Sequence, residues 1–151
     1  MRLFLSLFVL LALGCSQSRV QPELPALIPY PQEVTEGVGV FSLNEHTQLS
    51  VDPLFATELQ HLQSAILEST GWNLVVGSMA QPMIALVFNE SLPEEGYRME
   101  VSDAGVVISA STATGAFYGI QTFRQFLPMQ KGNSSVDLPF VTITDQPAFK
   151  H

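Results

Sequence analysis

The fold is decided by the stretch GYRMEVSDAGVVISASTATGAFYGIQTFRQFLP, residues 96–128. Apolar and polar residues alternate from Tyr97 to Val101, and an apolar run returns over 106–110. Between them lies Ser-Asp-Ala-Gly at 102–105, a sequence typical of a tight turn. This pattern predicts a β-hairpin whose first strand is buried on one face.

The second half of the same stretch predicts an amphipathic helix. Ser111 or Thr112 can cap its start, and Pro128 can stop it. Its apolar residues recur at helical spacing. They are Ala113, Ala116, Phe117, Ile120, Phe123, Phe126 and Leu127.

An earlier helix is predicted after Asp52, which can act as N-cap, with Pro53 at the first helical position and Gly71 at the end. Its apolar stripe is Phe55, Leu59, Leu62 and Ile66. Further strands are predicted over 39–43, 48–51, 73–77, 83–88 and 136–143. A hairpin and two helices without strict β-α alternation indicate an α+β domain over residues 27–145. We expect one mostly antiparallel or mixed sheet with both amphipathic helices packed on one face.

The N-terminal sequence is typical of an export signal. Arg2 precedes an apolar stretch of 11 residues at 3–13, which is too short to span a bilayer, since that takes about 20. The stretch runs into Leu-Gly-Cys at 13–15 and resembles a bacterial lipoprotein signal. We therefore expect residues 1–14 to be removed and Cys15 to become a lipidated N-terminus, although an ordinary signal peptide with an incidental cysteine is the alternative. Either places the mature protein outside the cytoplasm; with the lipid, it would be anchored in the cell envelope, facing the periplasm or the cell surface.

Residues 15–26 are polar and rich in proline, so they are expected to form a flexible tether.

The composition excludes several kinds of partner. Of the 151 residues 46% are hydrophobic and 13% are charged, and the net charge is −8. Without residues 1–14 there are 14 acidic and 5 basic side chains, a net charge near −9. So few cations argue against nucleic acid and against electrostatic binding to a membrane surface. One cysteine excludes a disulfide framework, and the length excludes a complete (β/α)8 barrel, which needs roughly 200 residues.

No constellation typical of a catalytic, cofactor or metal site stands out. His46, His61 and His151 lack a spacing that suits a metal ion. Glu94 and Glu95 are adjacent, so on an extended segment their side chains point in opposite directions and cannot flank one glycosidic bond. We therefore expect no catalytic residue, no cofactor and no metal ion in these 151 residues.

Two glycines in the second predicted helix require an explanation. Gly115 and Gly119 lie four residues apart and bracket Phe117 and Tyr118. Glycine in a helix interior costs about 0.5–1 kcal/mol relative to alanine, so a pair on one face indicates close approach of another backbone. That neighbour is either the sheet of the same domain or a second domain. On the second explanation, these four residues form a candidate domain interface.

Three groups of residues carry a family resemblance: the hairpin and helix quoted above, the segments 28–32 and 39–43, and the segment 141–149. Together they resemble the start, centre and exit of the N-terminal domain of β-N-acetylhexosaminidases of glycoside hydrolase family 20. The resemblance covers about residues 27–151.

The resemblance implies an α+β domain that precedes a TIM barrel, in an enzyme that removes terminal β-linked N-acetylhexosamine from glycans. In that family the substrate's acetamido oxygen attacks the anomeric carbon, an Asp orients it and a neighbouring Glu is the general acid/base, unlike the two-carboxylate scheme. The Asp-Glu pair lies on the barrel, so no catalytic position is matched in this chain. The implied partners are the barrel of the same parent chain and the glycan substrate.

On this interpretation the chain is the non-catalytic first part of such an enzyme, and residues 146–151 begin the linker into an absent barrel. Two alternatives remain open. One is a freestanding surface lipoprotein that binds or supports another protein. The other is the equivalent domain of a different glycoside hydrolase, hyaluronidase-like or α-glucuronidase-like.

Overall fold

The computed structural model describes residues 22–77 and 83–146, which form one sheet and two helices. The strands are β1 (Glu33–Leu43), β2 (Gln48–Val51), β3 (Met83–Phe88), β4 (Tyr97–Ser102), β5 (Gly105–Ala110) and β6 (Val136–Asp145). The helices are α1 (Ala56–Thr70) and α2 (Ala113–Arg124). The expected leader at 1–14, Cys15 and the linker residues 147–151 lie outside the described residues.

The six strands are ordered β1-β6-β4-β5-β3-β2. Pairing is antiparallel from β1 through β6 and β4 to β5, and parallel from β5 through β3 to β2. The parallel pair β2 and β3 is joined through α1, because parallel neighbours need a long crossover that a tight turn cannot supply. The predicted α+β class with a mixed sheet is confirmed, and β4 and β5 form the predicted hairpin.

Helix α1 follows its sequence signals with one local difference. The Asp52 side chain accepts a hydrogen bond from the backbone N–H of Leu54 at 2.9 Å, but Pro53 opens a short 3-10 turn, so the α-helix begins at Ala56. Gly71 ends the helix with a φ of 86°, a left-handed conformation that glycine adopts at little cost. The predicted stripe lies in the core: Phe55, Leu62 and Ile66 are buried and Leu59 is partly buried.

Helix α2 is capped by Thr112, whose hydroxyl accepts a hydrogen bond from the N–H of Gly115 at 3.2 Å. It ends at Arg124, and tight backbone turns fill the remaining residues before Pro128. Most of the predicted apolar positions are buried, namely Ala116, Ile120, Phe123, Phe126 and Leu127. Phe117 is an exception, with 36% of its surface exposed.

Strand β1 is longer than predicted, because it begins at Glu33 instead of Gly39. Its register against β6 shifts between Glu36 and Val40. At Gly39 the φ angle is 138°, and a Cβ there would clash with the ring of Phe140. This irregularity interrupts the alternation that identifies a strand in sequence.

The predicted strand over 73–77 was wrong. The segment makes one isolated bridge, between Val76 and Leu49 of β2. Leu49 donates its N–H to the carbonyl of Val75 and accepts from the N–H of Gly77. The segment thus covers the backbone edge of β2 without extending into a strand of its own.

Both helices pack on one face of the sheet. They contact each other, α2 contacts β4 and β5, and the buried residues of both helices belong to one core cluster. The alternate residues of β4 point to the other face, where Arg98 and Glu100 form an ion pair at 3.2 Å with both side chains about half exposed. The core therefore lies between the helices and the sheet, and the outward sides of the helices are left uncovered within the described residues.

Candidate functional site

Gly115 and Gly119 lie on the buried side of α2. A Cβ on Gly115 would stand 2.3 Å from the carbonyl oxygen of Gly96, and one on Gly119 would stand 2.5 Å from Cγ2 of Ile108. The close approach that these glycines permit is therefore to the sheet of the same domain. This accounts for both glycines without a second domain.

Phe117 lies on the side of α2 opposite these glycines and Tyr118 on its flank, with 36% and 38% of their surfaces exposed. The Phe117 ring meets His61 of α1 edge-to-face, with centroids 5.4 Å apart, and its centroid lies 6.1 Å from that of Tyr118. We call these three residues the outer helical face. The outer helical face is aromatic and spans both helices, so it could contact another apolar surface.

A cavity of about 290 Å³ lies beside Tyr118, where α2 crosses the ends of β4 and β6. Its walls combine aromatic, amide, carboxylate and aliphatic groups. The lining residues are Ile28, Pro29, Glu95, Tyr97, Tyr118, Gln121, Thr122, Gln125, Asp145 and Gln146.

Tyr97 forms the buried part of the cavity wall. Its hydroxyl and that of Thr122 lie 2.6 Å apart and share a hydrogen bond between β4 and α2. Burial raises the pKa of Tyr97 to about 12; the hydrogen bond with Thr122 opposes this rise, and the negative charge of Asp145 adds to it. The phenol is therefore neutral at physiological pH and acts as a hydrogen-bonding group.

The segment 22–32, which we call the N-terminal strap, closes the cavity on one side. The backbone N–H of Ile28 donates to Oε1 of Gln125 on α2 at 2.8 Å. The backbone N–H of Gln32 donates to Oδ1 of Asp145 on β6 at 3.2 Å, and its side chain donates to the carbonyl of Gln146 at 2.8 Å. Leu24, in the part expected to be a flexible tether, packs against the core. The strap therefore fastens α2 to the end of β6.

The other polar groups singled out in the sequence are not brought together. His46 is exposed and lies 3.7 Å from its neighbour Glu45. Glu94 is exposed in a turn, whereas Glu95 is half-buried at the cavity. Over residues 22–77 and 83–146, no group of three or more His, Cys, Asp or Glu side chains could hold a metal ion. Within the same two ranges, no helix has the length and apolar character needed to cross a membrane.

The fold and its sequence match one protein family. The model for glycosyl hydrolase family 20, domain 2, matches residues 24–146, which is most of the chain. The chain belongs to glycosyl hydrolase family 20. Within that family it corresponds to the domain 2 region, in agreement with the resemblance found in its sequence.

Relatives and solved structures support the same assignment. The β-hexosaminidase of Porphyromonas gingivalis is 31% identical over 157 residues, covering 91% of this chain and 20% of that protein. The family 20 β-N-acetylhexosaminidase of Streptomyces coelicolor has 30% identity and a TM-score of 0.70, covering 79% of this chain and 26% of that structure. An exo-β-N-acetylglucosaminidase of Vibrio harveyi shares the fold, with a TM-score of 0.74 at 19% identity, covering 88% of this chain and 21% of that one. The chain thus spans about a fifth to a quarter of these proteins.

The cavity was missed at the level of sequence. Its groups come from the strap, from β4, from α2 and from the end of β6, so that Ile28 and its partner Gln125 lie 97 positions apart. A signal was present: Tyr97, Gln121 and Gln125 all lie in the motif that carried the family resemblance. Their types alone gave no indication that they share one cavity.

Proposed function

We propose that this chain is the accessory domain of an exo-β-N-acetylhexosaminidase, and that it supports a catalytic TIM barrel which removes terminal β-linked N-acetylhexosamine from glycans. The match of the family 20 domain 2 model to residues 24–146 carries the proposal. The P. gingivalis relative is named a β-hexosaminidase and the Streptomyces coelicolor structure a family 20 β-N-acetylhexosaminidase, and both support the proposal.

In this proposal the outer helical face docks on the barrel. Phe117 and Tyr118 are large side chains left more than one-third exposed on a helix whose other side is buried. Glu68 of α1 and Arg124 of α2 form an ion pair at 2.8 Å. This pair links the two helices, which therefore present one continuous surface. Covering aromatic side chains of this size removes apolar area from water. This stabilises the docked form by about 25 cal/mol for each Å² of apolar surface that is buried. Gly115 and Gly119 contribute indirectly, by holding α2 close to its own sheet.

We expect Phe117→Asp to cost about 1 kcal/mol in the 151-residue chain and more where the domain is followed by the barrel. In the 151-residue chain the loss is that of a partly covered ring and of its edge-to-face contact with His61. A carboxylate buried unpaired in an interface adds a further cost, so the longer protein should lose about 1–3 kcal/mol more than the 151-residue chain does. Calorimetric unfolding of both proteins measures the difference.

Ser109→Asp is the matched control for this experiment, because Ser109 is half-buried on the open face of the sheet and is paired in register with Arg98. It adds the same charge away from the outer helical face and should change the stability of both proteins equally. If Phe117→Asp cost no more in the longer protein than in the 151-residue chain, docking through this face would be ruled out.

We further propose that the protein is exported and anchored in the cell envelope by lipid on Cys15. The support is the charged start, the short apolar stretch at 3–13 and the Leu-Gly-Cys that ends it. Multiple acyl chains would hold the protein stably at a membrane. Cys15→Ser should abolish incorporation of labelled fatty acid and release the protein from the membrane fraction. Undiminished labelling of the variant would contradict the assignment of Cys15.

A further inference from the structure

The cavity between the N-terminal strap, α2 and the ends of β4 and β6, which we call the strap cavity, has the properties of a small-molecule site. Its volume of about 290 Å³ is near the lower end of ligand pockets, which run from about 300 to 1,000 Å³. Such pockets combine apolar walls with a few polar groups in fixed positions. Here Ile28, Pro29 and the ring of Tyr118 supply the apolar surface.

The polar groups of the strap cavity are held in place by other parts of the domain. Tyr97 is fixed by Thr122, Gln125 by the backbone of Ile28, and Asp145 by the backbone of Gln32. Because Gln125 is held through its Oε1, its amide nitrogen can still donate to a ligand. Groups ordered in advance lose little entropy when a ligand binds, which favours affinity.

The charges in the lining narrow the class of ligand. Glu95 and Asp145 are the charged groups, and the lining contains no lysine, arginine or histidine among the described residues. Phosphate, sulfate and other anions would therefore be repelled. A metal ion is also disfavoured, since only two carboxylates line the cavity and the described residues contain no group of three His, Cys, Asp or Glu side chains that could hold one.

The same lining matches a neutral polyol. Carboxylate oxygens accept hydrogen bonds, glutamine side chains both donate and accept, and the tyrosine and threonine hydroxyls do either. A ring with several hydroxyl groups needs this mixture of donors and acceptors. Tyr118 adds a half-exposed aromatic surface against which the apolar face of a sugar ring can lie.

We propose that the strap cavity binds one neutral pyranose unit of a glycan. This assignment goes beyond the accessory role, because it gives the domain a ligand of its own. It is tested through Gln121, which is not part of the outer helical face, whereas docking is tested through Phe117, which does not line the cavity. One can therefore fail while the other holds.

The test is titration of the isotopically labelled 151-residue chain with N-acetylglucosamine, followed by amide NMR. We expect saturable shifts at the side-chain amides of Gln121 and Gln125 and at the backbone of Thr122.

A cavity of this size predicts a Kd of about 1–10 mM. Gln121→Leu replaces the amide by an apolar side chain that is one atom shorter, and should weaken binding about tenfold. Tyr118→Leu should weaken it by a similar factor.

Gln60→Leu is the matched control, since Gln60 is an exposed glutamine on α1 outside the cavity lining. It should bind the sugar as the unmodified chain does. Glucosamine carries an ammonium group in place of the acetamide; if it bound more tightly than N-acetylglucosamine, the cavity would be a cation site and the proposal would be wrong. The proposal would also be overturned by unsaturable shifts, or by equal binding to the Gln121→Leu and Gln60→Leu variants.

Discussion

Gly115→Ala is expected to lower the free energy of unfolding of the 151-residue chain by about 2 kcal/mol. Alanine in a helix interior is normally better than glycine by about 0.5–1 kcal/mol. At Gly115, however, the new Cβ would lie 2.3 Å from the carbonyl oxygen of Gly96, and a backbone atom cannot move without shifting the start of β4. Overpacking of this kind typically costs about 1–3 kcal/mol, so the clash outweighs the gain in propensity. Urea unfolding monitored by circular dichroism measures the change.

Two further substitutions on α2 make this result interpretable. Gly119→Ala would meet the Cγ2 atom of Ile108, a side-chain atom that can give way more easily than a backbone, so it should cost less than Gly115→Ala. Thr114→Ala lies on the exposed side of the same helix and should be neutral or slightly stabilising. If Gly115→Ala stabilised the chain as Thr114→Ala does, the close packing of α2 on β4 would not exist as described.

The elements that the sequence predicted well are those in which local signals agree. The Asp52 cap, the stripe of α1 and the end at Gly71 all point to one helix, and the structure has it with its first turn tightened. The β4–β5 hairpin has alternation and a turn that indicate the same register. Agreement between capping, periodicity and turn chemistry is what makes a local prediction dependable.

The failures arise where pairing partners decide the structure. Residues 73–77 look like a strand, but they make a single bridge beside β2. The sequence did not predict the start of β1, because the register shift opposite Phe140 interrupts the alternation of apolar and polar residues in that strand. The strand order also depends on contacts distant in sequence, since β6 lies between β1 and β4. Periodicity within one segment carries no information about which segment will pair with it.

The candidate site shows the same division. Helical spacing placed Phe117 among the core positions of α2, yet its side chain is on the outer helical face. The glycines on either side were correctly identified as points of close approach, and the structure decides that the neighbour is the domain's own sheet. The strap cavity needed the tertiary structure, because the strap and β6 meet only in the fold.

Phe123→Ala is expected to have the largest effect of any substitution considered, a loss of about 3–5 kcal/mol. Phe123 is completely buried in the core, where α2 packs on the sheet. Removing the ring gives up its transfer free energy and leaves a cavity that fixed strands cannot fill. A domain of this size is stable by about 5–15 kcal/mol, so the variant would retain only part of its stability. The midpoint of urea unfolding should fall accordingly, with the slope unchanged.

Phe117→Ala provides the comparison, because it removes the same ring from the same helix on its other side. The ring is 36% exposed and has an edge-to-face contact with His61, so we expect a loss of about 1 kcal/mol in the 151-residue chain. If docking occurs as proposed, the gap between the two variants should narrow in a protein that includes the barrel, because Phe117 would then be covered as well. If both variants lost the same free energy of unfolding in the 151-residue chain, Phe117 would already belong to the core of the isolated domain. The outer helical face would then lack the exposed ring that docking requires.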